Sequence, residues 1–302
     1  MIITCCPSKV HNGVWRHLKE LEQFGTVHYE VDDRFDRFDL DNVKMIIFGG
    51  SWNNQYAEIN KVAKSKNVKT ALLFCSPFGQ AALSNEIPHL IKAYDLLLNG
   101  FVDYLFTGTQ EMADILNHPR VKFLPQTLDY KTFMEKHEGE VEKRDKAVGL
   151  FCSKAWHKNI VNQMIGLRKT DYHLFTNAFD KDTTTIALTH DVRYTSFEWL
   201  NDKEYYNLLK MIPVHLQCSY SEAFDYVVAE TLLLGNPVIV GPTIDWVKLP
   251  ELKVSNIDNP FEIKTAIDNL FASPVEGKDL IKMVKLELDR RAKIAKQVLD
   301  QI

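Results

Sequence analysis

Two glutamates, Glu222 and Glu230, bracket an apolar stretch in the run SYSEAFDYVVAETLLLGNPVIVGP at residues 219–242. The pattern up to 225 reads as a turn and that from 226 to 234 as a helix, which Gly235 closes and Pro237 keeps from continuing. Glu222 then falls in the turn. Glu230 falls in the first turns of the helix, where side chains lean back towards the N-terminus. Between them lie free N–H groups and the positive end of the helix dipole, a natural seat for phosphate. Carboxylates bind phosphate poorly but accept hydrogen bonds from paired hydroxyls. A diphosphate with a sugar on either side, a nucleotide sugar, fits that layout. The plain alternative is a capped core helix feeding a buried strand, and it accounts for Val227, Val228 and the leucines at 232–234.

The elements that must position these carboxylates alternate along the chain. Strands are expected at 1–5, 27–31, 44–48, 69–75, 104–107 and 121–124, with helices at 13–24, 55–65, 87–98 and 110–116. The charged stretch FMEKHEGEVEKRDK at 133–146 reads as an inter-domain connection. A second series follows, with strands at 147–152, 173–176, 186–189, 214–218 and 237–240 and helices at 158–167, 202–211, 226–234 and 260–271. The last helix, 278–302, reads as a surface helix that in a two-lobed protein can also cross back to the first lobe. This alternation is that of βαβ units around mainly parallel sheets. Two α/β lobes on either side of a cleft are expected, at 1–140 and 141–280, with 281–302 as the terminal helix. Ligands should sit beyond the carboxyl ends of the strands.

The bulk numbers bound the function. The 302 residues are 45% hydrophobic and 25% charged with a net charge of −4, which excludes a surface devoted wholly to nucleic acid or membrane. Five cysteines without CxxC or zinc-finger spacing favour a reducing compartment. The N-terminus does not read as a signal peptide, and no apolar run approaches the ~20 residues that span a bilayer. A cytoplasmic protein, at most peripheral to a membrane, is expected.

The run from Ser219 resembles the S-x-x-E-(G)-F-(G)-x-x-x-x-E signature of retaining GT-B glycosyltransferases, the group 1 or family 4 enzymes. Ser219, Glu222, Phe224, Glu230, Gly235, Pro237, Val238 and Ile239 are in register. The resemblance implies a GT-B fold of two Rossmann-like lobes and sugar transfer from a nucleoside-diphosphate sugar with retention, needing neither metal nor cofactor. It gives Glu222 the transferred sugar and Glu230 the ribose, with Ser153, Ala223, Phe224, Asp225 and Tyr226 lining the donor site. Ala223 and Asp225 stand where the family usually has glycines. AVGLFCSKAWHKNIVNQMIGL, at 147–167, is similar to the first strand of the family's second lobe. There Lys154 and Lys158 take the places of the Arg and Lys that neutralise the diphosphate, and Lys for Arg loses the planar fork. The stretch at 102–133 is similar to the end of the first lobe, with Pro125, Asp129 and Phe133 kept and Gln126, Thr127 and Leu128 in place of Asn-Gly-Val.

The first lobe should hold the acceptor. The resemblance implies a glycine here that approaches the donor phosphates, and Gly13, after Asn12, is the candidate, with a turn residue as the plain alternative. Trp52 in FGGSWNN and Phe78 and Gln80 in CSPFGQ follow apolar strands and are expected to stack on or hydrogen-bond an acceptor ring; Trp52 fits a packed core position equally well. No loop offers the histidine that many relatives place near the reacting sugar; the resemblance implies a substrate-assisted route in which the departing diphosphate takes the acceptor proton. Asp39, Leu40 and Asp41 spell D-x-D within a charge-rich connector, and no metal site is expected. Lys61, Lys64, Lys66 and Lys69 read as a solvated face that could also hold an anionic acceptor. The acceptors weighed are a glycan, a lipid-linked sugar and a modified DNA base. The rival functions are a GT-B sugar-nucleotide epimerase and a degenerate glycosyltransferase kept as a binding module.

Overall fold

The computed structural model describes residues 1–7, 13–31, 40–198 and 200–302. The chain divides into two compact units, Met1–Asp129 with Asp289–Ile302, and Tyr130–Leu288. Asn12 and Asp39 of the D-x-D lie outside the described residues.

In the first unit a parallel sheet of six described strands has the order β2-β1-β3-β4-β5-β6. The strands are β1 (Ile2–Pro7), β2 (Thr26–Val31), β3 (Met45–Gly49), β4 (Lys69–Phe74), β5 (Tyr104–Thr107) and β6 (Val121–Phe123). The helices between them are α1 (Gly13–Glu20), α2 (Asn54–Ser65), α3 (Phe78–Leu83), α4 (Ile87–Leu98) and α5 (Gln110–Leu116). Helices cover both faces, so central strands are apolar throughout: every residue of β3, MIIFG, is buried.

The second unit holds β7 (Ala147–Leu150), β8 (His173–Thr176), β9 (Arg193–Ser196), β10 (Val214–Gln217) and β11 (Val238–Val240), parallel in the order β11-β10-β7-β8-β9. Its helices are α6 (Tyr130–Lys136), α7 (Ile160–Ile165), α8 (Lys181–Thr189), α9 (Asp202–Met211), α10 (Tyr226–Leu233) and α11 (Pro260–Ala272). Helix α12 (Gly277–Asp300) starts in this unit and ends in the first. Leu280, Val284, Leu288, Arg291, Ala295 and Leu299 are buried at helical spacing along it. Ala295 and Leu299 join Leu18, Leu21, Met45 and Phe106 in one core cluster of the first unit, so this helix does return to the first lobe.

Three expectations need correcting. Residues 186–189 are not a strand but the end of α8. Asp180 and Thr183 form a reciprocal capping box that starts a helix there. The strand of that βαβ unit is β9, whose half-exposed RYTS lacks an apolar signature. The expected connection begins with a helix, because Phe133 of α6 is buried against His137 and Tyr206 at ring distances of 4.8 and 5.4 Å. The division between units accordingly falls at Asp129 rather than at 140.

No helix among the described residues is long and apolar enough to cross a membrane. All five cysteines are buried and unpaired by disulfides.

Candidate functional site

In the second sheet the chain runs from central β7 to β8 and β9 on one side, then returns to β10 and β11 on the other. The loops after β7 and β10 therefore diverge, opening the crevice in which ligands of open α/β sheets sit. These two loops carry the motif residues.

Lys158 closes a single 3-10 turn, Trp156–Lys158, just ahead of α7 and not within it. Its ammonium bonds the Glu222 carboxylate and lies 3.6 Å from Asp225 Oδ2. The side chains of Lys158, Glu222 and Asp225 are only 15%, 9% and 3% exposed. Burial pulls the Lys158 pKa down, but Asp225 and Glu222 outweigh it and hold the ammonium firmly charged. One cation cannot satisfy two buried carboxylates. Burial first, and Asp225 second, push Glu222 up to about 7 against the pull of Lys158.

Asp225 sits at the entrance of α10 with φ +65°, a left-handed conformation that costs a non-glycine residue roughly 1–2 kcal/mol. The strain places its carboxylate over the helix mouth, where Oδ1 accepts from the Val228 N–H at 3.2 Å. An amide of the expected phosphate seat is thus already capped by the chain's own anion. Behind it, Phe224 is buried, its ring 5.4 Å from that of Trp246, and Trp246 Nε1 donates to the Phe224 carbonyl at 2.8 Å. The side chain of Phe224 therefore belongs to the core. Tyr226 is buried edge-on to Phe224, and Ala223 lies half-buried between Glu222 and Phe224. Further along α10, Glu230 is buried and accepts hydrogen bonds from the hydroxyls of Tyr206 at 2.8 Å and Tyr205 at 3.3 Å, both on α9.

A buried polar web ties the loops together. Asn159, at φ +51°, donates from Nδ2 to the carbonyls of Cys218 at 3.1 Å and Ile257 at 2.8 Å. Gln163 donates to the Lys158 carbonyl at 2.7 Å and accepts from the Cys218 N–H at 2.8 Å. Neither residue was singled out in the sequence. The only local sign of Asn159 is that asparagine tolerates left-handed backbone, which it shares with many turn residues. Tyr205 and Tyr206 likewise read only as apolar positions of a helix.

Ser153 and Lys154 are exposed in the loop after β7. In the first unit Gly13 opens α1, and a Cβ there would meet nothing within 4 Å. Trp52 is half-buried against the core, its ring edge-on to Phe48 at 5.6 Å. Phe78 is 44% exposed at the start of α3, and Gln80 donates to Ser76 Oγ at 3.3 Å. Of the lysine cluster, Lys64 and Lys69 pair with Asp103 at 2.7 and 3.8 Å, and Lys66 pairs with Asp41 at 3.1 Å.

Comparison of the sequence with protein-family models and with curated proteins finds no match. Solved structures do match along the whole chain. An alpha,alpha-trehalose-phosphate synthase (UDP-forming) from Burkholderia vietnamiensis is 10% identical with a TM-score of 0.68, covering 99% of this chain and 98% of its own. A sucrose-phosphate synthase from Thermosynechococcus elongatus is 11% identical with a TM-score of 0.65, covering 100% and 98%. A glycosyltransferase from Rickettsia africae is 14% identical with a TM-score of 0.61, covering 99% and 98%. With two parallel α/β sheets and a terminal helix returning to the first unit, the chain has the GT-B fold.

Proposed function

We propose that the protein is a glycosyltransferase that moves a sugar from a nucleoside-diphosphate sugar to a hydroxyl of a carbohydrate acceptor, with retention and without a metal, in the cytoplasm. The observation that carries this reading is the buried Lys158, held between Glu222 and Asp225 at the mouth of α10 and at the switch point of the second sheet. A fixed cation beside helix amides suits the diphosphate, whose negative charge grows as the bond to the sugar breaks. Glu222 accepts from hydroxyls of the transferred sugar, and Glu230, oriented by Tyr205 and Tyr206, from the ribose. The acceptor hydroxyl forms the new C–O bond while the old one breaks, and its proton passes to the departing diphosphate oxygen. Lys154, exposed in the same loop, is in this reading a second phosphate contact. A carbohydrate acceptor is favoured over DNA or a phospholipid surface, because three of the four clustered lysines are already paired with two aspartates, which halves the positive charge of the cluster. Structures at this fold level include a trehalose-phosphate synthase in complex with glucose-6-phosphate and an E. coli protein bound with UDP-2-fluoro glucose.

Asp225 favours a second reading, a binding module that has lost transfer, since its carboxylate caps the Val228 amide that a phosphate would use. Thermal shift with UDP-, GDP- and ADP-sugars, followed by a donor-hydrolysis assay without metal, separates the two. Stabilisation with slow nucleotide release supports the transferase. Stabilisation with no release under any acceptor supports the module, and no stabilisation by any nucleotide overturns both.

A further inference from the structure

Beside the Lys158 cluster lies a feature that charge stabilisation does not use. Trp156 is 48% exposed, yet it is not a loose surface ring. It stacks on Tyr220 with centroids 5.9 Å apart and planes at 19°. Trp156 comes from the loop after β7 and Tyr220 from the loop after β10, so the pair bridges the two loops of the site. Tyr220 is fixed at both ends. Its N–H donates to the His157 carbonyl at 2.7 Å. Its hydroxyl bonds the Asp258 carboxylate and accepts from Asn162 Nδ2 at 3.2 Å. Asn162 in turn donates to Asn159 Oδ1 at 2.8 Å and so belongs to the web that aligns the loops.

We propose that Trp156, backed by Tyr220, is a stacking platform for a sugar ring, with Asp258 and Asn162 at its rim to meet the ring's hydroxyls. This rests on the transferase reading above. A rigid aromatic face gives apolar contact at little entropic cost, and the C–H face of a pyranose is the apolar surface that matches it. Trp156 and Tyr220 each stand two residues before a member of the charged cluster, Lys158 and Glu222, and two residues of chain span at most about 7 Å. The platform is therefore within a sugar or two of the carboxylate. The ring stacked there belongs to the donor or to the acceptor.

Binding is measured by calorimetry with UDP, GDP and ADP, with their glucose or mannose conjugates, and with methyl glucoside, methyl mannoside and glucose-6-phosphate, for the wild type, Trp156→Ala and Trp156→Phe. The expected result is at least a tenfold loss in Trp156→Ala for a sugar-bearing ligand, unchanged affinity for the free nucleotide, and substantial recovery in Trp156→Phe. A loss confined to the conjugates places the donor sugar on the ring, and one confined to the saccharides places the acceptor there. Equal losses for nucleotide and sugar would show that Trp156 merely holds the loop and would overturn the platform, as would no loss at all. If the wild type binds no nucleotide, the transferase reading itself fails; nucleotide binding without any sugar dependence sinks the platform alone.

Discussion

The two units solve the same topological problem and bury different polar groups beside it. In each, the chain leaves a central strand in one direction and returns on its other side, β1 in the first unit and β7 in the second. In the first unit His17 and Tyr56, buried near strand ends, are kept neutral, while the guanidinium of Arg291 is buried in the same unit. His17 lies against Cys75, and burial, assisted by Arg291 against a carbonyl bond from Pro125, pushes its pKa down to about 3. Tyr56 donates to the Gly49 carbonyl at 2.7 Å, and burial raises its pKa far above the ordinary range. In the second unit the corresponding loops bury charge: an ammonium and two carboxylates. Buried charge is costly unless paired, and replacing such a group by apolar packing often stabilises a protein. Among the described residues, the cluster of one ammonium with two carboxylates at the loops after β7 and β10 sets the second unit apart, a difference that lies in the site and not the fold.

Removing Lys158 should produce the largest effect and test the comparison most directly. Lys158→Ala leaves Glu222 and Asp225 buried without their cation, which costs about 3–5 kcal/mol of stability. Loss of one preorganised charge at the leaving group lowers turnover by roughly 100- to 1,000-fold. Urea titration and single-turnover assays check the two separately. His17→Phe, in the neutral site, should leave turnover within about threefold; an equal loss in both variants would erase the distinction between the units.

Asp225→Asn should act in the other direction on binding. With Glu222 protonated near neutrality the cluster balances one positive against one negative charge, and above about 7 it becomes net negative. Nucleoside-diphosphate affinity in the wild type is therefore expected to weaken as pH rises from 6 to 9, by up to about tenfold per unit. Asp225→Asn removes the second-largest cause of the raised Glu222 pKa, so affinity should increase and the slope flatten. The stability sign follows from the same group. Glu222 is raised from 4.5 to about 7, so its contribution is fully present below about 4.5 and is lost as pH climbs through 7. Melting temperature should fall over that window in the wild type and less in Asp225→Asn. A wild-type affinity that strengthens with pH would refute the competition between Asp225 and phosphate.

What could be read from the residues divides along the same line. The second unit's helix mouth was legible because Glu222, Glu230, Gly235 and Pro237 combine chemistry with helix punctuation, and α9 and β8 were bounded by ordinary periodicity. Asp225 was legible as an oddity, but its consequence was not, because it depends on a backbone angle that places the carboxylate over α10. Asn159 and Gln163 act through bonds to residues 55 to 98 positions away, which local patterns cannot encode. Strand β9 and helix α6 escaped because one lacks apolar residues and the other hides Phe133 among charges.

Loss of that web should cost less than loss of charge. Asn159→Ala removes two donations to buried carbonyls and places a Cβ-bearing residue at φ +51° without asparagine's local compensation. A loss of about 1–3 kcal/mol is expected. Asn159→Gly, which relieves the backbone but not the carbonyls, should recover part of it. Full recovery in the glycine variant would mean that the web contributes only backbone geometry.

The finest discrimination should come from the tyrosines on Glu230, where the second unit's burial of charge can be graded by distance. Tyr206 donates at 2.8 Å and Tyr205 at 3.3 Å to the two oxygens of one buried carboxylate. Hydrogen bonds to charged groups contribute about 1.5–3 kcal/mol at good geometry and weaken with length. Tyr206→Phe should thus lower stability more than Tyr205→Phe. If Glu230 holds the ribose, it should also weaken nucleoside-diphosphate binding several-fold while leaving free-saccharide binding alone. The split matters more than the size. A purely structural role predicts loss of stability with unchanged nucleotide affinity, whereas a carboxylate oriented for ribose predicts that affinity follows the order of the two distances. The reverse order, with Tyr205→Phe the more damaging, would show that the two phenols pack α9 against α10 and do not aim Glu230.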